Sequence, residues 1–247
     1  MIEVRRYGAA GPTVIAIHGG PGAPGSMAPL ARGLAGEFVV LEPLQRPSGG
    51  EPLTVAQHVA DLHEVVESLG GGVRPALVGS SWGAMLALAY AAEYPERAAA
   101  IVAIGSGTLD PAARARMHEL LAERRALDFD ASYTFERCDG DGGVDGARAG
   151  DEGAFDTRAN QETWNDMLRL QAAGVYPAAF AAIRAPVLML HGAYDPHPGT
   201  MIRDGLAPFI PQLEYREWER CGHYPWLEKH AREDFYRTLR AWLHAHG

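Results

Sequence analysis

The stretch Pro75-Ala76-Leu77-Val78-Gly79-Ser80-Ser81-Trp82-Gly83 decides the fold predicted for this chain of 247 residues. It places a short apolar run directly before a G-x-S-x-G pentapeptide, and helix-forming residues 84–94 follow. In such a nucleophile elbow the serine lies on a strained strand-to-helix turn, and the glycines are needed because a Cβ there would collide with the neighbouring strand and helix. The pattern therefore places Ser81, and not Ser80, at the tip of the turn.

A second motif lies upstream, where the apolar run 13–17 ends at His18-Gly19-Gly20-Pro21-Gly22. Acyl transfer through a serine creates an oxyanion, which needs two N–H donors about 3 Å away. One donor is expected from Trp82, the residue after the serine, and the other from Gly20, with Gly19 as the alternative. A phosphate-binding loop is a weaker interpretation, since the chain has no G-x-x-x-x-G-K-[ST] sequence.

These two motifs carry a family resemblance. HGGPG followed about sixty residues later by G-x-S-W-G resembles the α/β-hydrolase superfamily, and in particular its prolyl-iminopeptidase-like branch. The likeness runs over most of the chain, is strong along residues 81–97, and is weak between about Gly107 and Ala182. It implies a serine hydrolase that works through an acyl-enzyme without a cofactor or metal, with the catalytic residues in the chain order serine, acid, histidine.

The resemblance assigns the acid and the histidine to two loops that follow late strands. Asp195 comes just after the apolar run 187–190, and His223 lies between a further strand and the last helix. The resemblance makes Asp195 the acid and His223 the base. Asp195 before Pro196 is also compatible with a plain turn, and Asp110 is the alternative acid, because some relatives carry the carboxylate one strand earlier.

Other histidines and cysteines are expected to be structural. His191 is expected to hydrogen-bond at the end of its strand and His197 to face solvent. The two cysteines, Cys138 and Cys221, are too few for a disulfide framework and have no zinc-binding spacing. Both are predicted to be reduced thiols, with Cys221 half buried and not a nucleophile.

Composition limits the class of protein. The chain is 47% hydrophobic and has no apolar run near 18 residues, which predicts one large core and no membrane span. Residues 1–6 lack the apolar stretch of a signal peptide, so a cytoplasmic location is expected. A net charge of −9 argues against nucleic acid, which requires a basic surface. The expected partner is a small-molecule ester or a short peptide, and the sequence indicates no oligomeric state.

The order of apolar runs predicts a mostly parallel α/β sheet with helices on both faces and a small helical cap insertion. The core domain is assigned to residues 1–106 and 183–247, and the cap to 107–182. Long helices are expected at Pro52–Leu69 and Arg232–His244, and within the cap at Pro111–Leu127 and Gln161–Ala173, with a mobile loop over residues 138–146. The predicted strands are Glu3–Tyr7, Thr13–His18, Phe38–Glu42, Ala76–Val78, Ala99–Ile104, Val187–His191 and Glu214–Glu217.

The cap is acidic between residues 128 and 156. The resemblance implies that such carboxylates bind a substrate amino group, as in prolyl iminopeptidases, whereas a solvated loop has the same composition. The cap is also shorter than in that family, and the loop Leu41-Glu42-Pro43-Leu44-Gln45-Arg46-Pro47-Ser48 lacks the family's aspartate-glutamine-arginine-glycine pattern. The acidic residues are Asp128, Asp130, Glu136, Asp139, Asp141, Asp145, Asp151, Glu152 and Asp156, against Arg137 and Arg148.

Carboxylic-ester hydrolysis is therefore the first functional interpretation, and release of an N-terminal proline is the second. A non-catalytic small-molecule receptor, or a cofactor-free lyase or perhydrolase, would use the same fold. Five aromatic residues are candidates either for a substrate pocket or for the core: Trp164, Tyr176, Phe180, Tyr194 and Trp226.

Overall fold

Seven strands form a single sheet in the computed structural model, which describes residues 2–125, 129–138 and 150–247. In chain order they are β1 Val4–Tyr7, β2 Thr13–Ile17, β3 Val39–Pro43, β4 Ala76–Ser80, β5 Ala100–Ile104, β6 Val187–Gly192 and β7 Leu213–Trp218. Their order across the sheet is β1-β3-β2-β4-β5-β6-β7. The β1–β3 pair is antiparallel and all other neighbouring pairs are parallel, so the predicted mostly parallel α/β fold is confirmed.

Eight α-helices lie within the described part of the chain. They are α1 Ala28–Leu34, α2 Val55–Ser68, α3 Trp82–Glu93, α4 Pro111–Glu123, α5 Phe129–Tyr133, α6 Thr157–Ala172, α7 Gly199–Leu206 and α8 Arg232–His246. Helices α4, α5 and α6 all lie between β5 and β6, in the region that the sequence assigns to the cap. The exact division into core and cap stays a prediction.

Both faces of the sheet are covered, and alternate strand residues belong to different cores. Ile15 and Ile17 of β2 lie in one apolar cluster with residues of α2 and α3, whereas Val14 and Ala16 lie in a second cluster with residues of α1 and α8. Because water reaches neither face of such a sheet, its central strands are nearly continuous apolar runs. This is the pattern from which the strands were predicted.

Two helices begin at other residues than predicted, because a polar side chain hydrogen-bonds to the first turn of each. Helix α2 begins at Val55 and not at Pro52, because Thr54 and Gln57 form a reciprocal capping box over the first turn. Helix α6 begins at Thr157 and not at Gln161, because the Asp156 carboxylate accepts a hydrogen bond of 2.9 Å from the backbone N–H of Ala159.

The remaining differences concern short elements. Helices α1, α5 and α7 have 7, 5 and 8 residues, too few for a clear 3.6-residue periodicity, and none of them was located from the sequence. Helix α4 ends at Glu123, while residues 126–128 of the predicted Pro111–Leu127 helix and residues 139–146 of the predicted loop lie outside the described residues. No helix in the described ranges is both long and apolar enough to cross a membrane.

Candidate active site

Ser81 lies on a strained turn between β4 and α3. Its φ of 55° and ψ of −119° fall in a region that non-glycine residues rarely occupy, and no other non-glycine residue in the described part of the chain has a positive φ. A Cβ added to Gly79 would lie 2.1 Å from the Gly83 carbonyl oxygen, and one added to Gly83 would lie 2.1 Å from that of Ile17. The two glycines and the strained serine therefore form one structural unit, as the elbow pattern predicts.

The serine opens onto a cavity of about 920 Å³ at the carboxyl ends of the strands. Loops that follow β2, β4, β5, β6 and β7 contribute to its wall, together with α4 and α6. Among the residues that line it are Gly19, Gly20, Ser81, Thr108, Tyr133, Asn160, Trp164, His197, His223 and Trp226.

His223 and Asp195 form a buried pair beside this cavity. The distance from His223 Nδ1 to Asp195 Oδ2 is 2.6 Å, and both residues are almost fully buried. Because a carboxylate only accepts hydrogen bonds, Nδ1 of His223 carries the proton and Nε2 of the neutral ring is left as an acceptor. Gly105, with φ of 53°, leaves room for the pair, since a Cβ there would lie 2.9 Å from His223 Nδ1.

Two further histidines contact the same carboxylate. His197 donates to Asp195 Oδ1 from its Nδ1 at 2.8 Å and from its backbone N–H at 2.9 Å, and its ring stacks on that of His223 with centroids 4.9 Å apart. His197 is buried, so the expectation that it faces solvent is wrong. His191 Nε2 donates to the His197 carbonyl oxygen at 2.8 Å, which agrees with a structural role at the strand end.

The three histidines explain why Asp195 remains charged. Burial alone would raise its pKa, but the interactions with His223, His197 and His191 outweigh burial and hold the pKa well below its usual range. Burial lowers the pKa of His191, which favours its neutral form. The ligand atoms of Asp195, His197 and His223 lie within 4.8 Å of one another, but Nδ1 of both rings already binds the carboxylate, so a hydrogen-bond network accounts for this group without a metal ion.

Asp110, the alternative acid, caps the N-terminus of a helix. Its Oδ1 accepts a hydrogen bond of 2.9 Å from the backbone N–H of Ala113 and thereby caps α4. Only one of the two candidate carboxylates is therefore bonded to His223.

The glycine loop after β2 is connected to the elbow by Gln45, which was not among the predicted site residues. Gln45 donates from Nε2 to the His18 carbonyl oxygen at 2.8 Å, and its Oε1 accepts from the Trp82 indole N–H at 2.9 Å. The backbone N–H of Gln45 also donates to His18 Nε2, and burial lowers the pKa of His18 to about 4, so this ring is neutral. Gln45 thus connects the two segments that carry the candidate oxyanion donors, Gly20 and Trp82.

Helix α6 holds the same glycine loop from the other side. The side-chain amide of Asn160 and, at 3.4 Å, the indole N–H of Trp164 both donate to the Gly20 carbonyl oxygen. A sequence signal exists only for Gln45, because it comes two residues after the end of β3, and the carboxyl ends of β3, β2 and β4 lie at the same edge of the sheet. Asn160 lies in an ordinary helical pattern far along the chain and has no such signal.

Two of the aromatic candidates line the cavity and three do not. Trp164 and Trp226 belong to its wall. Tyr176 stacks on Phe180, which is fully buried in the core on the α3 side of the sheet. The Tyr194 ring lies under the Arg124 guanidinium, 3.8 Å from it, outside the cavity wall. Periodicity could not separate these cases, because aromatic residues in pockets and cores share the same apolar pattern.

Most of the described acidic cap residues have partners away from the cavity. Glu136 binds Lys229 and His230, each at 2.7 Å, Asp151 binds Arg32 at 2.7 Å, and Asp156 caps α6. Glu152 lines the cavity. The residues Asp128, Asp139, Asp141, Asp145 and Arg148 lie outside the described residues, as does the side chain of Asp130.

Cys221 is more buried than expected. It is fully buried, and burial raises the pKa of its thiol far above the ordinary value, so the thiol stays protonated at neutral pH. This supports the expectation that Cys221 is not a nucleophile.

Comparison with known proteins agrees with this architecture. The model of the alpha/beta hydrolase family matches residues 14–238. A proline iminopeptidase of Neisseria gonorrhoeae is 37% identical over 120 residues, which is 44% of this chain and 37% of that protein. A second, from Neisseria meningitidis serogroup B, is 39% identical over 106 residues, 38% of this chain and 33% of the relative. The matched part of the chain thus spans about a third of the length of these curated relatives.

Solved structures share the fold at low sequence identity. A thermophilic esterase from Thermogutta terrifontis has a TM-score of 0.70 with 21% identity, covering 98% of this chain and 93% of that one. The enol-lactonase from Burkholderia xenovorans LB400 has a TM-score of 0.67 with 17% identity, covering 98% and 96%. At such identities the likeness concerns the fold alone.

Proposed function

This chain belongs to the alpha/beta hydrolase family, and from that premise we propose that it is a serine hydrolase of small-molecule carboxylic esters that works through an acyl-enzyme. One observation carries the proposal. Ser81, on its strained turn, opens onto the same cavity as His223, which is hydrogen-bonded at 2.6 Å to a buried, charged Asp195. A serine hydroxyl is a weak nucleophile and needs this kind of oriented base.

In the proposed reaction, Nε2 of His223 takes the proton from Ser81 Oγ while Oγ bonds to the carbonyl carbon of the ester. The carbonyl oxygen becomes an oxyanion, which accepts hydrogen bonds from the backbone N–H groups of Trp82 and Gly20. When the carbon–oxygen bond to the leaving group breaks, His223 returns the proton to the departing alkoxide. The acyl group then remains on Ser81.

Deacylation repeats these steps with water. His223 takes a proton from a water molecule that attacks the acyl carbon, and then returns it to Ser81 Oγ as the acid product leaves. Asp195 orients the ring of His223 throughout and stabilises its cationic form, which is transient. The pKa of Asp195, held well below its usual range by the neighbouring histidines, supports this role, because the carboxylate stays charged at neutral pH.

Release of N-terminal proline is the second candidate function. It is favoured by the curated relatives, which are proline iminopeptidases. A free amino group would require carboxylates in the cavity wall. Among the described residues of that wall Glu152 is the only one, and it is exposed. Ester hydrolysis therefore has the better support.

The test is the hydrolysis of p-nitrophenyl pentanoate beside prolyl p-nitroanilide by the wild-type protein and Ser81→Ala. We expect kcat/KM for the ester to exceed that for the anilide and to fall at least about 10³-fold in Ser81→Ala. Ser80→Ala is the matched control, because its hydroxyl lies one residue before the turn. Efficient prolyl release would replace the esterase by the second candidate.

Turnover that survives in Ser81→Ala would contradict the serine mechanism. No turnover of either substrate, together with no labelling of Ser81 by a fluorophosphonate, would favour a non-catalytic receptor. Labelling of Ser81 without hydrolysis would point to a lyase or perhydrolase that uses the same three residues.

A further inference from the structure

Helix α4 presents one basic face to the cavity. Arg114, Met117 and His118 all line the cavity wall, and their spacing of three and four residues places them on the same side of the helix. Arg137 lines the wall as well, and Glu152 is the only carboxylate among the described wall residues. This balance is the reverse of the whole chain, which has 31 acidic and 22 basic residues.

The guanidinium of Arg114 has a neutral partner. It donates to the side-chain oxygen of Gln171 on α6, and Gln171 in turn donates from Nε2 to the Thr108 carbonyl oxygen at 3.1 Å. Among the described residues no carboxylate pairs with Arg114. Arg116, two positions along the same helix, instead pairs with Glu119 at 3.0 Å and Glu123 at 3.6 Å.

An arginine in this setting has unused binding capacity. A guanidinium carries five N–H donors in a rigid planar fork that fits a carboxylate through two parallel hydrogen bonds. The oxygen of Gln171 accepts from one nitrogen only. Because α6 holds Gln171 and Gln171 is fixed to Thr108, the guanidinium is also held in place, and this reduces the entropy that it loses when it binds a ligand.

We propose that Arg114 binds a carboxylate of the substrate, so that the preferred substrates are esters with a negative charge on the acyl or the leaving group. The inference rests on the proposed serine hydrolase function and names its substrate class. Apolar wall residues such as Met117, Leu168 and Trp164 would contact the carbon chain between the carboxylate and the ester. A cationic amine would instead be repelled by the basic face of α4.

Two matched pairs of esters test the proposal. For the acyl side they are mono-p-nitrophenyl glutarate and p-nitrophenyl pentanoate, which have the same chain length and differ in the terminal carboxylate. For the leaving-group side they are the butyrate esters of 4-hydroxybenzoate and of its methyl ester. Ser81→Ala supplies the background rate, which matters because a glutarate half-ester also breaks down spontaneously.

We expect the anionic member of at least one pair to have the higher kcat/KM. Arg114→Gln should lower kcat/KM for that ester about 10- to 100-fold more than for its neutral partner, mainly through KM, because a charge-assisted hydrogen bond is lost. Arg114→Lys keeps the charge without the fork and should recover part of the loss. Arg116→Gln, on the same helix, is the control that removes an equal charge outside the cavity wall.

Equal rates within both pairs would overturn the substrate class. An equal fall for anionic and neutral esters in Arg114→Gln would also overturn it, since that result indicates a structural brace between α4 and α6. Neither result affects the serine mechanism, because neutral-ester turnover that depends on Ser81 tests that mechanism separately.

Discussion

Two regions line the cavity and are built in different ways. The glycine loop after β2 and the elbow after β4 are determined by backbone packing: a Cβ on Gly83 would lie 2.1 Å from the Ile17 carbonyl oxygen. The segment between β5 and β6 has backbone hydrogen bonds to the loop after β2, from Gly153 to Pro24 and from Asp156 to Gly22, but it also depends on side chains. These include Asn160 and Trp164 on the Gly20 carbonyl oxygen and Asp156 on Ser48. Backbone packing leaves few residue types possible at a position, whereas side-chain contacts can be replaced. The first region is therefore the one that a sequence motif can identify, and under the proposed function the second would select the substrate.

The largest effect on activity is expected for a substitution of Asp195, the proposed catalytic acid. Asp195→Asn should lower kcat by about 10³- to 10⁴-fold with little change in KM, because an amide in place of the carboxylate no longer holds His223 in the required tautomer. Ester kinetics would measure it. Asp110→Asn is the matched control, since Asp110 only caps α4 and asparagine caps helices equally well. If Asp110→Asn had the large effect and Asp195→Asn did not, the acid would lie after β5.

A second test compares two glycines. Gly83→Ala should destabilise the fold by about 3 kcal/mol or more, because the new Cβ meets backbone atoms of β2, which cannot move aside without breaking the sheet. Gly36→Ala is the control, since a Cβ at Gly36 has no neighbour within 4 Å. Urea unfolding monitored by circular dichroism measures both. A stable Gly83→Ala variant would show that backbone packing does not limit the elbow.

The difference between the two regions also explains which site residues could be predicted from the sequence. Ser81, Gly20 and Trp82 belong to contiguous motifs, because a backbone turn needs particular residues at fixed spacing. The strands were predicted for a related reason, since burial on both faces gives continuous apolar runs. Asp195 and His223 could be assigned only with the chain order that the resemblance implies. The hydrogen bond of 2.6 Å between them depends on the three-dimensional fold and has no sequence pattern.

Contacts between segments that are distant in the sequence could not be predicted from local sequence patterns. His197, which flanks Asp195 in the sequence, was expected to face solvent, yet its ring stacks on that of His223, 26 residues further along the chain. Arg114 and Gln171 gave no signal, since a single polar residue in an amphipathic helix has the same pattern whether it faces water or a cavity.

His197 offers a test with a smaller expected effect, within the proposed catalytic network. His197→Ala removes the Nδ1 donor to Asp195 Oδ1. It should lower kcat by about 10-fold with KM nearly unchanged, because the carboxylate loses one of the hydrogen bonds that hold it in position. His197→Asn places an amide N–H close to the position of Nδ1 and should recover most of the activity. Equal kcat in wild type and His197→Ala would exclude a positioning role, and a fall in both variants would indicate that the ring itself contacts substrate.

The smallest effect is expected at Glu136, which lies between β5 and β6 and contacts Lys229 and His230. Lys229 and His230 bind Glu136 and lower its pKa to about 2, so the ionised form is favoured in the fold. A depressed carboxyl pKa stabilises the fold above the unfolded value of about 4.5, and this contribution disappears as the pH falls towards 2. Because all three side chains are partly solvent-exposed, Glu136→Gln should lower Tm at pH 7 by only about 1–2 °C. The difference should shrink at pH 3 and in 1 M salt. A Tm difference that persists in acid would mean that packing, and not charge, attaches this part of the segment between β5 and β6.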